Sequence, residues 1–127
     1  MELNAALQCY DPVAYFSNEP TIGDPEFAST HIGRIYYFVS AENKAKFDIK
    51  PNRYLPQYDG FCAVTVSQGY KLSSDPTNFK IVDDKLYLFY RGSLGDAKPN
   101  WEEDEQNLRL KADANWKQGN LPETEVE

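Results

Sequence analysis

The stretch FKIVDDKLYLFY, from Phe79 to Tyr90, constrains the fold more than any other part of the chain. Its two halves, Phe79 to Val82 and Leu86 to Tyr90, are β-branched and aromatic, and Asp83-Asp84 separates them where a tight turn would fall. That pattern is a β-hairpin. A second hairpin is read from Phe27 to Ile32 and Arg34 to Val39, turning through His31-Ile32-Gly33-Arg34. Val13 to Phe16 (VAYF) reads as a short first strand or extended segment. The run SNEPTIGDP from Ser17 to Pro25, the polar segment from Lys71 to Asn78, and RGSLGDAKPN read as loops because Pro and Gly interrupt them.

Two helices stand out. Ser40 is a fitting N-cap for AENKAKFDIK, where Ala41, Ala45 and Ile49 share one face, and Pro51 stops it. The second runs from about Asn100 to Gln118. Acidic residues Glu102 to Glu105 crowd its start, Arg109, Lys111 and Lys117 its second half, and both biases suit the helix dipole. Trp101, Leu108, Ala112 and Trp116 fall on one stripe, Gly119 ends the helix, and LPETEVE reads as a frayed acidic tail.

With 127 residues the size expectation is a single domain, residues 1–118, followed by the tail at 119–127. Thirteen basic against twenty acidic residues give a net charge of −7, which argues against nucleic acid or an anionic membrane as partner. No apolar run approaches the ~18 residues of a membrane span. The start MELNAALQ lacks the basic and apolar regions of a signal peptide, leaving the compartment open between cytoplasm and a mature exported form. There is no phosphate loop and no GxSxG elbow, and a single histidine, His31, read as a solvated turn residue, leaves little for a triad.

The chemistry-bearing stretch is QYDGFCAVTVSQGY, Gln57 to Tyr70, nearly uncharged and holding Cys62. Its residues are compatible with a strand or a short helix. Cys62 and Cys9 can be two reduced buried thiols, one disulfide worth about 4 kcal/mol on the loop-closure model, or a soft-metal or redox pair. A closed zinc site would need four Cys or His ligands, and the chain has two Cys and one His.

YDPVAYF, IYYFVSAENKAKFDIKPNRYLPQYDGFCAV, VSQG and KADANW, taken in order from Tyr10 to Trp116, resemble the YHS-domain family. The resemblance implies a small α+β fold, with antiparallel hairpins packed against short helices, and a helical Cys62 segment. The family's metal-binding cysteines would fall on Ala14, Val39 and Asn43, which cannot replace them as soft-metal ligands. The chain is instead similar to the stand-alone branch with a Gly-Phe/Tyr-Cys-Ala segment, matched by Gly60 to Ala63, and departs from it at Cys9, where a small residue such as Gly is common. The resulting expectation is a non-enzymatic module binding a small molecule, a thiol-linked chromophore or Cu(I), with Cys62, Tyr10, Asp11, Tyr15 and Tyr58 lining its pocket and Cys9 as a second thiol. A thiol redox protein using Cys62 and Cys9, and an association module forming homodimers or hetero-complexes, are the alternatives.

Overall fold

The computed structural model describes residues 6–125, an α+β fold of two-stranded sheets and short helices. They form two compact units interleaved in sequence. One runs up to Leu55 and takes in Ile81–Leu86; the other comprises Pro56–Lys80 and the described residues from Tyr87 onward.

In the first unit, β1 (Asp24–His31) pairs antiparallel with β2 (Arg34–Phe38). Ile32 and Gly33, at φ 48° and 75°, make the two-residue turn, the left-handed pair that matches strand twist. Helix α1 (Ala41–Ile49) starts where expected, with Ser40 Oγ accepting from the Asn43 N–H at 3.1 Å. Its buried face is not the Ala41, Ala45 and Ile49 face. Phe47 turns inward and Ile49 stays 76% exposed, because one phenyl ring buries more apolar area than two alanines. Phe47 packs on Tyr36 and Phe38, each ring centroid 5.1 Å away, and Ala6 and Val13 complete the cluster. His31 is also not the solvated residue expected: its ring meets Phe47 edge-on, and its Nε2 is buried without a hydrogen-bond partner. α2 (Pro51–Tyr54) follows, with proline at its first position. VAYF is not a strand; Ala14–Ser17 is a 3-10 turn opened by the Asp11 side chain.

In the second unit, α3 (Ala63–Ser67) gives the Cys62 segment its helix, ended at Gly69 with φ 98°. β3 (Lys71–Leu72) follows it. The Phe79–Tyr90 hairpin is β4 (Asp75–Val82) with β5 (Lys85–Phe89), and its turn, through Asp83 and Asp84 at φ 52° and 61°, falls in the Ile81–Leu86 stretch that belongs to the first unit. β4 begins four residues earlier than its apolar run, since Asp75 Oδ1 accepts from the Thr77 N–H and Oδ2 from Arg91 Nε, ordering the polar start. The loop after it holds a small hairpin, β6 (Arg91–Gly92) and β7 (Gly95–Asp96).

The C-terminal helix is two helices, α4 (Lys98–Glu103) and α5 (Glu105–Gln118), broken at Asp104 with φ −148°. Lys80 Nζ bridges the break, 3.2 Å from Glu102 and 2.9 Å from Glu105, offsetting the repulsion among the clustered acids. Trp101 and Ala112 of the expected stripe are fully buried, and α5 packs on α3. The tail is not frayed throughout: Glu123–Thr124 forms β8, parallel to β3, with the Lys71 N–H donating to the Pro122 carbonyl at 2.8 Å.

Candidate functional site

Cys62 lies at the start of α3 with no exposed surface. Its N–H donates to the Leu72 carbonyl (2.8 Å), while its own carbonyl accepts from the Val66 N–H (3.1 Å) and Thr65 Oγ1 (3.0 Å). At the other end of α3, Asn115 Nδ2 donates to the carbonyl of Val66, which also accepts from the Gly69 N–H, and to that of Ser67 in the last turn. The thiol is therefore held by a helix fixed at both ends. Cys9, partly exposed and also free, belongs to the first unit. With a thiol reagent at neutral pH, Cys9 is expected to react first and Cys62 on the order of 100-fold more slowly, because reaching it requires local opening. Equal rates in the native protein, measured by stopped-flow and mass mapping, would show that α3 does not shield the sulfur.

Tyr10, Asp11 and Tyr15 cluster within the first unit. Tyr10 bridges to Ile22 and its ring sits 6.5 Å from that of the fully buried Tyr15. Asp11, also fully buried, has both oxygens engaged. Oδ1 accepts from the N–H of Val13 (2.7 Å) and Ala14 (3.3 Å); Oδ2 accepts from the Val39 N–H and Asn43 Nδ2, both 2.9 Å. Four donors leave this carboxylate little capacity for a ligand. Its geometry is that of a joint between three chain segments.

Tyr58 stands in a left-handed turn with Asp59, at φ 58° and 52°. Its hydroxyl donates to Asp113 Oδ1 at 2.6 Å, and its ring lies 6.0 Å from both Tyr87 and Trp116. Burial, reinforced by the Asp113 hydrogen bond, pushes the phenol well above the usual tyrosine range. A raised folded-state value means that this group's stabilisation is complete below the ordinary phenol pKa, about 10, and drains away as pH rises beyond it. In an alkaline titration followed at 295 nm, Tyr58 should ionise above the exposed phenols and should do so with unfolding. Tyr58→Phe should remove that phase and cost about 1 kcal/mol at pH 7, measured by urea unfolding.

The second unit carries a cleft that the chain's motifs do not announce. It occupies about 140 Å³. Val64, Thr65, Leu72 and Ala97 form a buried floor; Tyr70 and Tyr90 stand half-buried at its sides; Gln68, Leu94, Asp96 and Asn100 make an exposed rim. Cys62 is not in its lining, but the helix that Cys62 begins supplies one wall. Tyr90 and Leu72 also line a neighbouring cleft of about 260 Å³ with Ser73, Thr124 and Glu125. The β6–β7 turn is folded onto Tyr90: the Leu94 N–H donates to its hydroxyl at 3.1 Å, and a Cβ on Gly92 would come within 2.6 Å of that oxygen. Asp96 is fixed as well. The Lys98 N–H (2.9 Å) and Asn78 Nδ2 (2.8 Å) donate to its Oδ1 and hold its carboxyl below the usual range.

Among the described residues no group of three or more His, Cys, Asp or Glu is arranged to hold a metal ion, and no helix is long and apolar enough to cross a membrane. The fold is α+β, and this concavity in it is a small cleft of mixed polar and apolar lining. No family model, no curated protein and no solved structure matches this chain.

Proposed function

We propose that this chain is a non-enzymatic small-ligand-binding module of the stand-alone YHS-like type, with its site in the cleft between α3 and the Tyr90–Asn100 segment. One observation carries the reading: the walls are fixed by the chain's own hydrogen bonds. α3 is tied at both ends by Leu72 and Asn115, and the opposite wall by the Tyr90 hydroxyl and the Asp96 carboxylate. Preformed walls with an apolar floor and a few polar rim groups are what small-molecule sites have in common, since little ordering entropy is then lost on binding.

A fragment titration followed by amide NMR tests the site. Saturable shifts confined to Val64–Leu72 and Tyr90–Asn100 are expected. Shifts scattered over the surface, or none from a library of a few hundred fragments at millimolar concentration, would remove the cleft as a site. Comparing native and denaturing mass spectra of the freshly purified protein would reveal a ligand carried through isolation.

A further inference from the structure

Resting on that reading, we propose that the cleft selects an organic cation with an apolar body, an alkylammonium group being the simplest case. The lining contains one charged residue, Asp96, and no lysine or arginine. Asp96 spends Oδ1 on Lys98 and Asn78, leaving Oδ2 with no hydrogen-bond partner among the described residues. Arg91, paired with Asp96 across the small hairpin, adds a favourable charge to that carboxylate, but its guanidinium hydrogen-bonds Asp75 and Thr77, at 3.2 and 2.8 Å, and is not in the lining. Lys98 is the remaining cation beside Asp96, and its ammonium is not among the lining groups.

Two phenol rings, Tyr70 and Tyr90, flank the same space, and aromatic faces attract ammonium groups. The neighbouring cleft past Tyr90 again holds a single charged residue, and it too is acidic, Glu125. An anion would meet carboxylates on both sides of Tyr90 and no counter-charge in either lining. Leu94 completes the chemistry. It is 74% exposed at the rim although its backbone is pinned to Tyr90, which places an apolar surface where the tail of an amine would lie. Carboxylate, phenol faces and leucine together fit an amphipathic amine better than a sugar, a phosphate or a plain hydrocarbon.

Three probes with the same pentyl tail separate the possibilities: n-pentylammonium, n-pentanol and hexanoate, each titrated into the full chain under amide NMR. The ammonium is expected to shift Tyr70, Tyr90 and Asp96 with a Kd on the order of 1 mM, roughly tenfold tighter than the alcohol, with no saturable shift from the carboxylate. Asp96→Asn, which keeps the Oδ1 acceptor, should bring the ammonium down to the alcohol's affinity, and Leu94→Ala should weaken the ammonium a few-fold. If Asp96→Asn disturbs the fold, seen as loss of amide dispersion, Leu94→Ala and the three-probe ranking in the wild type decide. An alcohol binding as well as the ammonium, or a carboxylate binding better, overturns the cationic inference while leaving a binding cleft. If none of the three shifts these residues, and the fragment library also fails there, both the inference and the cleft fall.

Discussion

Replacing Asp11 by alanine is expected to lower the stability of the first unit by about 4 kcal/mol, near the upper end for a single substitution. The reason is the number of donors it leaves behind. Four N–H groups, three of them backbone, aim at this carboxylate from Val13, Ala14, Val39 and Asn43, and the side chain has no exposed surface. A hydrogen bond to a charged group is worth about 1.5–3 kcal/mol, and a buried donor without a partner costs roughly 1–3 kcal/mol. Those contributions are not additive, so the estimate lies well below their sum. Asp11→Asn is the sharper probe. It keeps the volume and one oxygen, but whichever way the amide turns, its NH₂ faces two donors. About 3 kcal/mol is expected from it, against less than ~0.5 kcal/mol for Asp24→Asn, whose carboxylate meets the Glu26 N–H at the exposed start of β1. Urea unfolding at pH 7 measures all three. If Asp11→Asn proved as harmless as Asp24→Asn, the carboxylate would not be what joins these segments.

This joint also marks where the sequence stops being legible. The hairpins could be read because their turns sit in the chain between their own strands, and Ile32-Gly33 and Asp83-Asp84 both adopt the left-handed pair such turns need. Ser40 was equally visible as a cap, since it acts on Asn43, three residues away. Asp11 reads from sequence as a pocket-lining residue, but its role depends on Val39 and Asn43, 28 and 32 positions on. VAYF has strand-like residues, yet the Asp11 side chain capping Val13 and Ala14 folds it into a turn; a local hydrogen bond prevailed over propensity. On α1 the four-residue spacing pointed to Ala41, Ala45 and Ile49, where size rather than spacing decided in favour of Phe47.

The cleft was harder still. Its floor and rim come from Val64 to Leu72 and from Tyr90 to Asn100, stretches that read separately as a core segment and a glycine-rich loop. The usable signal was the pair Gly92 and Gly95 beside Tyr90. Gly92 lets the chain pass the Tyr90 hydroxyl, and Gly95, at φ 112°, turns it back. Glycine so placed reflects a close approach, and close approach is what shapes a wall. Tyr58 is the reverse case: chosen from sequence for a pocket, it is engaged instead with Asp113, Tyr87 and Trp116.

Gly23→Ala should be the other severe substitution, at about 3 kcal/mol. A Cβ there would lie 2.4 Å from the Tyr37 carbonyl carbon, 2.6 Å from its oxygen and 2.7 Å from the Phe38 nitrogen. All three are backbone atoms of β2, and no rotamer can move them aside. The Gly23 N–H meanwhile donates to the Cys9 carbonyl at 2.8 Å, so the residue is held from its other side as well. Overpacking a core side chain typically costs 1–3 kcal/mol, and backbone that cannot yield puts this site at about the top of that range. Gly33 provides the contrast within the same unit. It is required for its φ of 75°, with nothing within 4 Å of an added Cβ. Gly33→Ala should cost about 1 kcal/mol, and Gly33→Asn should recover part of it, because asparagine tolerates the left-handed region. No side chain should recover Gly23. Gly23 also sets the distance between the Cys9–Asp11 segment and β2, whose continuation at Val39 donates to Asp11. Pushing that segment outward should break the Asp11 joint, so the double variant Gly23→Ala, Asp11→Asn should lose clearly less than the two single losses combined. Additive losses in a double-mutant cycle, or a Gly23→Ala variant as stable as Gly33→Ala, would mean that the close approach at β2 does not hold the joint together.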